Sequence, residues 1–199
     1  MFQKSFGTSG VNAIGSFQLS QLNSSSVQSK LKAAGINTNS KQYKAAVKQM
    51  MSAGNGAMYG NIQGIKNLMS HYDKDGDYIN PVNGLAGLLV TDENESSRKR
   101  IISIPDSSKE EMYELTKKEF LRENGVHNGD TTKRTDVYNN LYRKMPKKDR
   151  LAAGYTLEKY ERIYRQAFYD AAKKADPNWE IGKPIKDGAL DSVTRETAE

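Results

Sequence analysis

The sequence predicts a mostly α-helical protein: a compact bundle of about six helices with little or no sheet and flexible N- and C-terminal segments. Three observations carry that expectation. Apolar residues recur at spacings of three and four through most of the chain, the period of a helix with one buried face. Ser, Asn and Asp stand ahead of these runs and Gly or Pro behind them, where helix starts and stops favour them. Eleven tyrosines fall largely among the apolar positions, which implies a small core whose phenols reach the surface.

Residues 1–26 hold seven serines and three glycines and show no sustained period. Such a composition buries too little to offset the entropy of ordering it, so a flexible leader is predicted. Its scattered Phe2, Phe6, Ile14, Phe17, Leu19 and Leu22 would find cover on a partner or a second subunit. Ser26 is expected to cap a short helix over 27–34 that Gly35 ends. Asn39 or Ser40 caps the next, with Tyr43, Ala46, Val47, Met50 and Met51 on one face and a break at Asn55-Gly56. A third helix carries Met58, Ile62, Ile65, Leu68 and Met69 as its stripe.

Residues 73–106 read as irregular, interrupted by Pro81, Gly84, Gly87 and Pro105, with a short extended segment at Ile101, Ile102 and Ile104. A helix then follows Asp106, Ser107 or Ser108, holds Glu110 and Glu111 in its first turn, and stops before Gly125. Asp130 or Thr131 opens another, striped by Val137, Tyr138, Leu141, Tyr142 and Met145 ahead of Pro146. Residues 147–153 add one turn, and a last helix over about 156–175 presents Leu157, Tyr160, Tyr164 and Phe168 on one side. Trp179, Ile181 and Ile185 are expected to pack back on the bundle, and 187–199 to fray. The predicted organisation is thus a leader (1–26), a single helical domain (27–186) and a disordered tail (187–199).

Charge is unevenly spread. The chain carries +6 overall, yet residues 1–72 contain no Asp or Glu and seven lysines, among them Lys30, Lys32, Lys41, Lys44 and Lys48. That imbalance points to an anionic surface or partner reached through these lysines; the competing reading is that they only solvate short helices. Other classes fall away. With no cysteine and only His71 and His127, thiol catalysis, thiolate zinc and imidazole-rich metal sites are disfavoured. Mean hydropathy is −0.78 with no long apolar run, so no membrane span is expected. No P-loop, dinucleotide fingerprint, zincin helix or nucleophile elbow occurs.

One stretch has metal chemistry. Asp73-Lys74-Asp75-Gly76-Asp77 follows the third helix. Carboxylates at alternate positions converge on a hard cation when the backbone curls, and Ca²⁺ takes six to eight oxygens. The segment resembles the first half of an EF-hand or dockerin loop, with departures: Tyr78 where glycine is needed, Ile79 one place early, and Gly84 at the twelfth position. Asp73, Asp75, Asp77 and Asn80 are therefore the candidate Ca²⁺ ligands. The alternatives are a polar Asx turn that keeps no ion, or aspartates that receive N-terminal lysines.

The segments LKAAGINTNSKQYKAAVKQMM, NIQGIKNLMSHYDKDGD, KKEFLRENGVHNGDTTKRTDVYNNLYRKM and ADPNWEIGKPI together resemble a family of uncharacterised proteins from Gram-positive bacteria, over most of residues 25–186. The resemblance implies a bacterial source and a single domain, and brings no catalytic residue. The acid-free, Ser/Gln/Asn-rich start also resembles leaders used by flagellar and type III export systems. The expected localisation is accordingly the bacterial cytoplasm or export without a Sec signal peptide.

The function read from these features is a non-enzymatic interaction or assembly protein, engaging a protein partner, itself or an anionic surface. The first alternative is a small glycan hydrolase with paired carboxylates drawn from Glu110, Glu111 and Glu123. The second is a nucleic-acid-binding protein, for which Arg98-Lys99-Arg100 and Lys147-Lys148 are basic clusters with acids nearby.

Overall fold

A computed structural model of the chain describes residues 16–54 and 58–199. The fold is mostly helical, and its one sheet among the described residues has two strands. The chain divides into two compact units, Met1–Leu89 and Val90–Glu199. Each unit has its own apolar cluster.

In the first unit, β1 (Phe17–Gln18) pairs antiparallel with β2 (Tyr59–Gly60), and the Leu19 N–H donates to Met58 O at 2.8 Å. Helix α1 spans Ser25–Ala33; it is started not by Ser26 but by Ser24, and the Ser24 hydroxyl accepts the Val27 N–H. It ends at Gly35 with φ +79°, and the Ile36 N–H closes back on Leu31 O at 3.0 Å, the left-handed stop that glycine permits. Helix α2 (Lys41–Ala53) is capped by Ser40 and α3 (Ile62–Met69) by Asn61. Phe17, Leu19 and Leu22 are buried with Leu31, Tyr43, Met50 and Ile65.

Of the leader predicted over 1–26, the stretch from residue 16 onward is packed, while residues 1–15 lie outside the described residues. Phe17, Leu19 and Leu22 find cover inside their own unit. A two-residue strand paired about forty positions away leaves no local period to read. Phe2, Phe6, Ile14 and the Asn55-Gly56 break lie outside the described residues.

The second unit contains α4 (Glu95–Arg98), α5 (Asp106–Glu123), α6 (Gly129–Thr132), α7 (Arg134–Lys144), α8 (Arg150–Ala175) and α9 (Arg195–Ala198). The helix expected from 130 or 131 is split by Lys133, which sits at φ +55°. Helix α8 starts at Arg150, more than a turn earlier than expected. Gly154, inside this helix, sits under Tyr142: an added Cβ would lie 2.6 Å from the Tyr142 hydroxyl. Close helix approach, not flexibility, explains this glycine.

Met112, Phe120, Leu141, Leu157, Tyr164 and Phe168 form the centre of the core, with Phe120 and Phe168 stacked at 5.4 Å between ring centroids. Trp179 is buried and donates its indole N–H to Lys183 O at 2.8 Å. Ile181, expected to pack with it, is 52 % exposed. The tail expected to fray over 187–199 is packed: Leu190 and Val193 are buried. The Tyr113 hydroxyl donates to Val193 O at 2.8 Å and the Tyr164 hydroxyl to Glu199 Oε1 at 2.6 Å. Two apolar side chains and two buried phenols needing acceptors outweigh the polar composition of that stretch.

These phenols make a pH prediction. Burial, then hydrogen bonding to Glu199, pushes the Tyr164 pKa far above its ordinary 10.0. Burial and the neighbouring Glu161 do the same to Tyr138. The unfolded chain releases these protons near 10.0 while the folded protein retains them, so their contribution to stability is full below that pH and declines as pH rises through it. Urea unfolding between pH 8 and pH 11 should show that decline, and Y138F and Y164F should each flatten it.

Candidate functional site

The acidic loop is built on the end of α3 and the start of α2. Tyr72 and Tyr78 bridge across its neck, their rings edge to face at 5.9 Å. The Asp73 N–H donates to Asp77 O at 2.9 Å, while Asp73 Oδ1 accepts the Asp75 and Asp77 N–H groups, each at 2.9 Å. This curl places ligand oxygens of Asp73, Asp75 and Asp77 within 4.8 Å of one another. Gly76 makes the turn at φ +85°, and an added Cβ would stand 3.1 Å from Lys41 O, so the loop rests on the first turn of α2.

Helix α2 holds the loop from its own side chains. The Gln42 amide donates to Met69 O at 2.9 Å and Tyr72 O at 2.7 Å. The Tyr72 hydroxyl donates to Gln49 Oε1 at 2.7 Å, and burial together with Tyr78 raises its pKa. No acid lies in the first turn of α2, so its positive helix end faces a neighbouring acidic loop. Asn80, the fourth expected ligand, belongs to the next turn: its Oδ1 accepts the Val82 N–H at 2.8 Å.

The same unit holds the lysines. It carries eight lysines, three aspartates and neither arginine nor glutamate, hence +5. Lys41, Lys44 and Lys48 are exposed, and positions three and seven residues apart share one helix face. Among the described residues, none of Lys30, Lys32, Lys41, Lys44 or Lys48 forms an ion pair with a carboxylate.

The second unit spends its charges differently. Glu110 pairs with Arg195 at 3.2 Å and Glu111 with Lys144 at 2.9 Å, so these two glutamates, which stand in the second turn of α5 rather than the first, serve surface ion pairs. Glu119, by contrast, is fully buried. Arg134 Nη2 reaches both its oxygens, at 2.8 and 2.9 Å. Arg165 Nη1 donates to Oε2, and His127 Nδ1 lies 2.9 Å from Oε1. Arg134 also pairs with Glu161 at 2.7 Å, which accepts the Tyr138 hydroxyl at 2.9 Å. Sequence reading missed this cluster, although a signal existed: Glu119 shares the buried α5 face with Met112 and Thr116. With two carboxylates facing two guanidiniums, the arrangement ties α5, α7 and α8 together.

No helix among the described residues is long and apolar enough to cross a membrane. Comparison with curated proteins and with solved structures yields no match. A domain of unknown function, DUF3879, matches residues 36–199. That match runs from the end of α1 through both the acidic loop and the Glu119 cluster to the last residue. The chain belongs to the DUF3879 family.

Proposed function

We propose that the protein is a non-enzymatic interaction protein whose N-terminal unit docks on an anionic partner through its lysine face. One observation carries this reading: Lys41, Lys44 and Lys48 line an exposed face of α2 with no carboxylate paired to them among the described residues. Lysines placed this way concentrate positive potential and attract polyanions, with an affinity that falls as salt rises. The second unit, with 22 basic and 21 acidic residues, has no comparable excess.

Elution from immobilised heparin tests the reading. The wild type should be retained at about 50 mM salt, and K41Q/K44Q/K48Q should elute earlier, with a shallower dependence on salt. A wild type that passes straight through, or a triple variant that elutes with it, overturns the proposal. The same comparison on duplex DNA and on vesicles rich in anionic lipid separates the polymer and surface partners.

The acidic loop supports a second reading, a weak Ca²⁺ site. Its support is the convergence of three carboxylates at the alternate spacing of calcium loops. Gly84 occupies the twelfth position, so the bidentate glutamate of strong sites is missing and binding belongs in the weak range, about 10⁻⁴–10⁻³ M. Calorimetric titration with Ca²⁺ should give heat at millimolar ion that Asp75→Asn abolishes. No heat from the wild type retires the idea.

A further inference from the structure

The end of α1 and the turn before α2 enclose an open groove of about 580 Å³, within the size range of small-molecule sites. Its lining is unusual for such a site in being mainly hydrogen-bonding. Ser29 and Thr38 bring hydroxyls, Gln28, Asn37 and Asn39 bring amides, and Lys32 brings the one charge.

Local bonds already orient part of this lining. The Gln28 amide nitrogen is held by Leu22 O at 2.8 Å, which leaves its oxygen as an acceptor. Asn37 Oδ1 accepts the Asn39 N–H at 3.0 Å, which leaves its NH₂ as a donor. Among the described residues, no side chain pairs with the Ser29 or Thr38 hydroxyl or with the Lys32 ammonium. Ile36, itself buried, supplies the apolar part of the wall. At Gly35, an added Cβ would meet nothing within 4 Å, so open space lies over the backbone there.

Hydroxyls and amides that both donate and accept match a polyol. A lone ammonium with no carboxylate in the lining selects one that bears a negative group. A free phosphate would engage Lys32 and leave most of the amides unused; a purely apolar ligand would desolvate them without replacement. We infer that this groove binds an acidic sugar, a uronate unit of a glycan. The carboxylate would sit on Lys32, and the ring hydroxyls on Ser29, Thr38 and the three amides. The inference rests on the lysine-face reading for the sign of the partner, and narrows that partner to an acidic glycan.

The test is titration of the ¹⁵N-labelled full chain with trigalacturonate, followed by amide shifts. The expected result is saturable shifts at Ser29, Gly35 and Thr38. Lys32→Gln should weaken the affinity at least about five-fold, and Thr38→Trp, which fills the groove, should abolish it. Ser29→Tyr fills the same space from α1 and replaces Thr38→Trp should that variant not fold. A neutral galactose trisaccharide should bind at least about five-fold more weakly.

Absence of shifts at 10 mM probe, equal binding by the neutral sugar, or unchanged affinity in the groove variants overturns the inference. The same shifts with inorganic phosphate alone also overturn it, since the sugar would then be irrelevant. Heparin retention of K41Q/K44Q/K48Q reports the α2 face separately. Loss of retention with trigalacturonate shifts absent leaves the docking reading standing and removes only the groove.

Discussion

Arg134→Met is expected to destabilise the protein by about 3–5 kcal/mol, the cost of removing one partner from a buried ion pair. Glu119 is fully buried, and Arg134 reaches both its oxygens and also Glu161. Without the guanidinium, two carboxylates retain Arg165, His127 and Tyr138 but lose the charge between them, and mutual repulsion adds to desolvation. Methionine keeps much of the stem's packing, so the loss measured is chiefly that of the charge. Urea unfolding of wild type, Arg134→Met, Glu119→Gln and the double variant forms a cycle in which the pair should couple by more than about 1 kcal/mol. Additive costs would mean that Arg134 only packs.

The second large effect lies in the first unit. Phe17→Ala is expected to cost about 3–5 kcal/mol, the usual range for truncating a buried phenylalanine. Phe17 is 4 % exposed, and its strand pairs with β2, the other strand among the described residues of this unit. A unit of this size has few kcal/mol in reserve, so the variant should largely unfold it. Amide exchange is the measurement: protection over α1, α2 and α3 should collapse in Phe17→Ala. Protection kept at wild-type level would mean that the segment before α1 merely lies on the surface. Such an outcome would return Phe17 and Leu19 to the role of residues awaiting a partner.

Helices were legible where a cap, a stripe and a stop agreed. Ser40 and Gly35 mark the boundaries the sequence indicates for α2 and α1, and the α5 helix ends where Gly125 indicates, although Pro105 rather than Asp106, Ser107 or Ser108 precedes it. These signals are local: a cap bonds an N–H three residues away, and a stripe repeats within one turn. The errors have the opposite character. The start of α8 was expected near 156 rather than 150, because what fits Gly154 inside the helix, the Tyr142 ring, lies on another helix. The 187–199 tail was expected to fray because Tyr113 and Tyr164, which anchor it, are some 35 to 80 residues distant.

The candidate site divides in the same way. Alternate aspartates at 73, 75 and 77 and the acid-free run of lysines were visible as strings of letters. That Gln42 and Gln49 of α2 would hold the loop was not visible, because these contacts cross 23 to 30 residues. The Glu119 cluster was less visible still, since a glutamate on a charged helix ordinarily faces water.

By itself, then, the amino-acid order determined helical class, the Ser40 cap and the Gly35 stop, the charge split and the one carboxylate string. Only tertiary structure decided which apolar residues share a core, that the chain has two such cores, and which charges are buried. The physical reason is range: caps and periodicity act over a turn of backbone, whereas burial and desolvation depend on side chains brought together from distant parts of the chain.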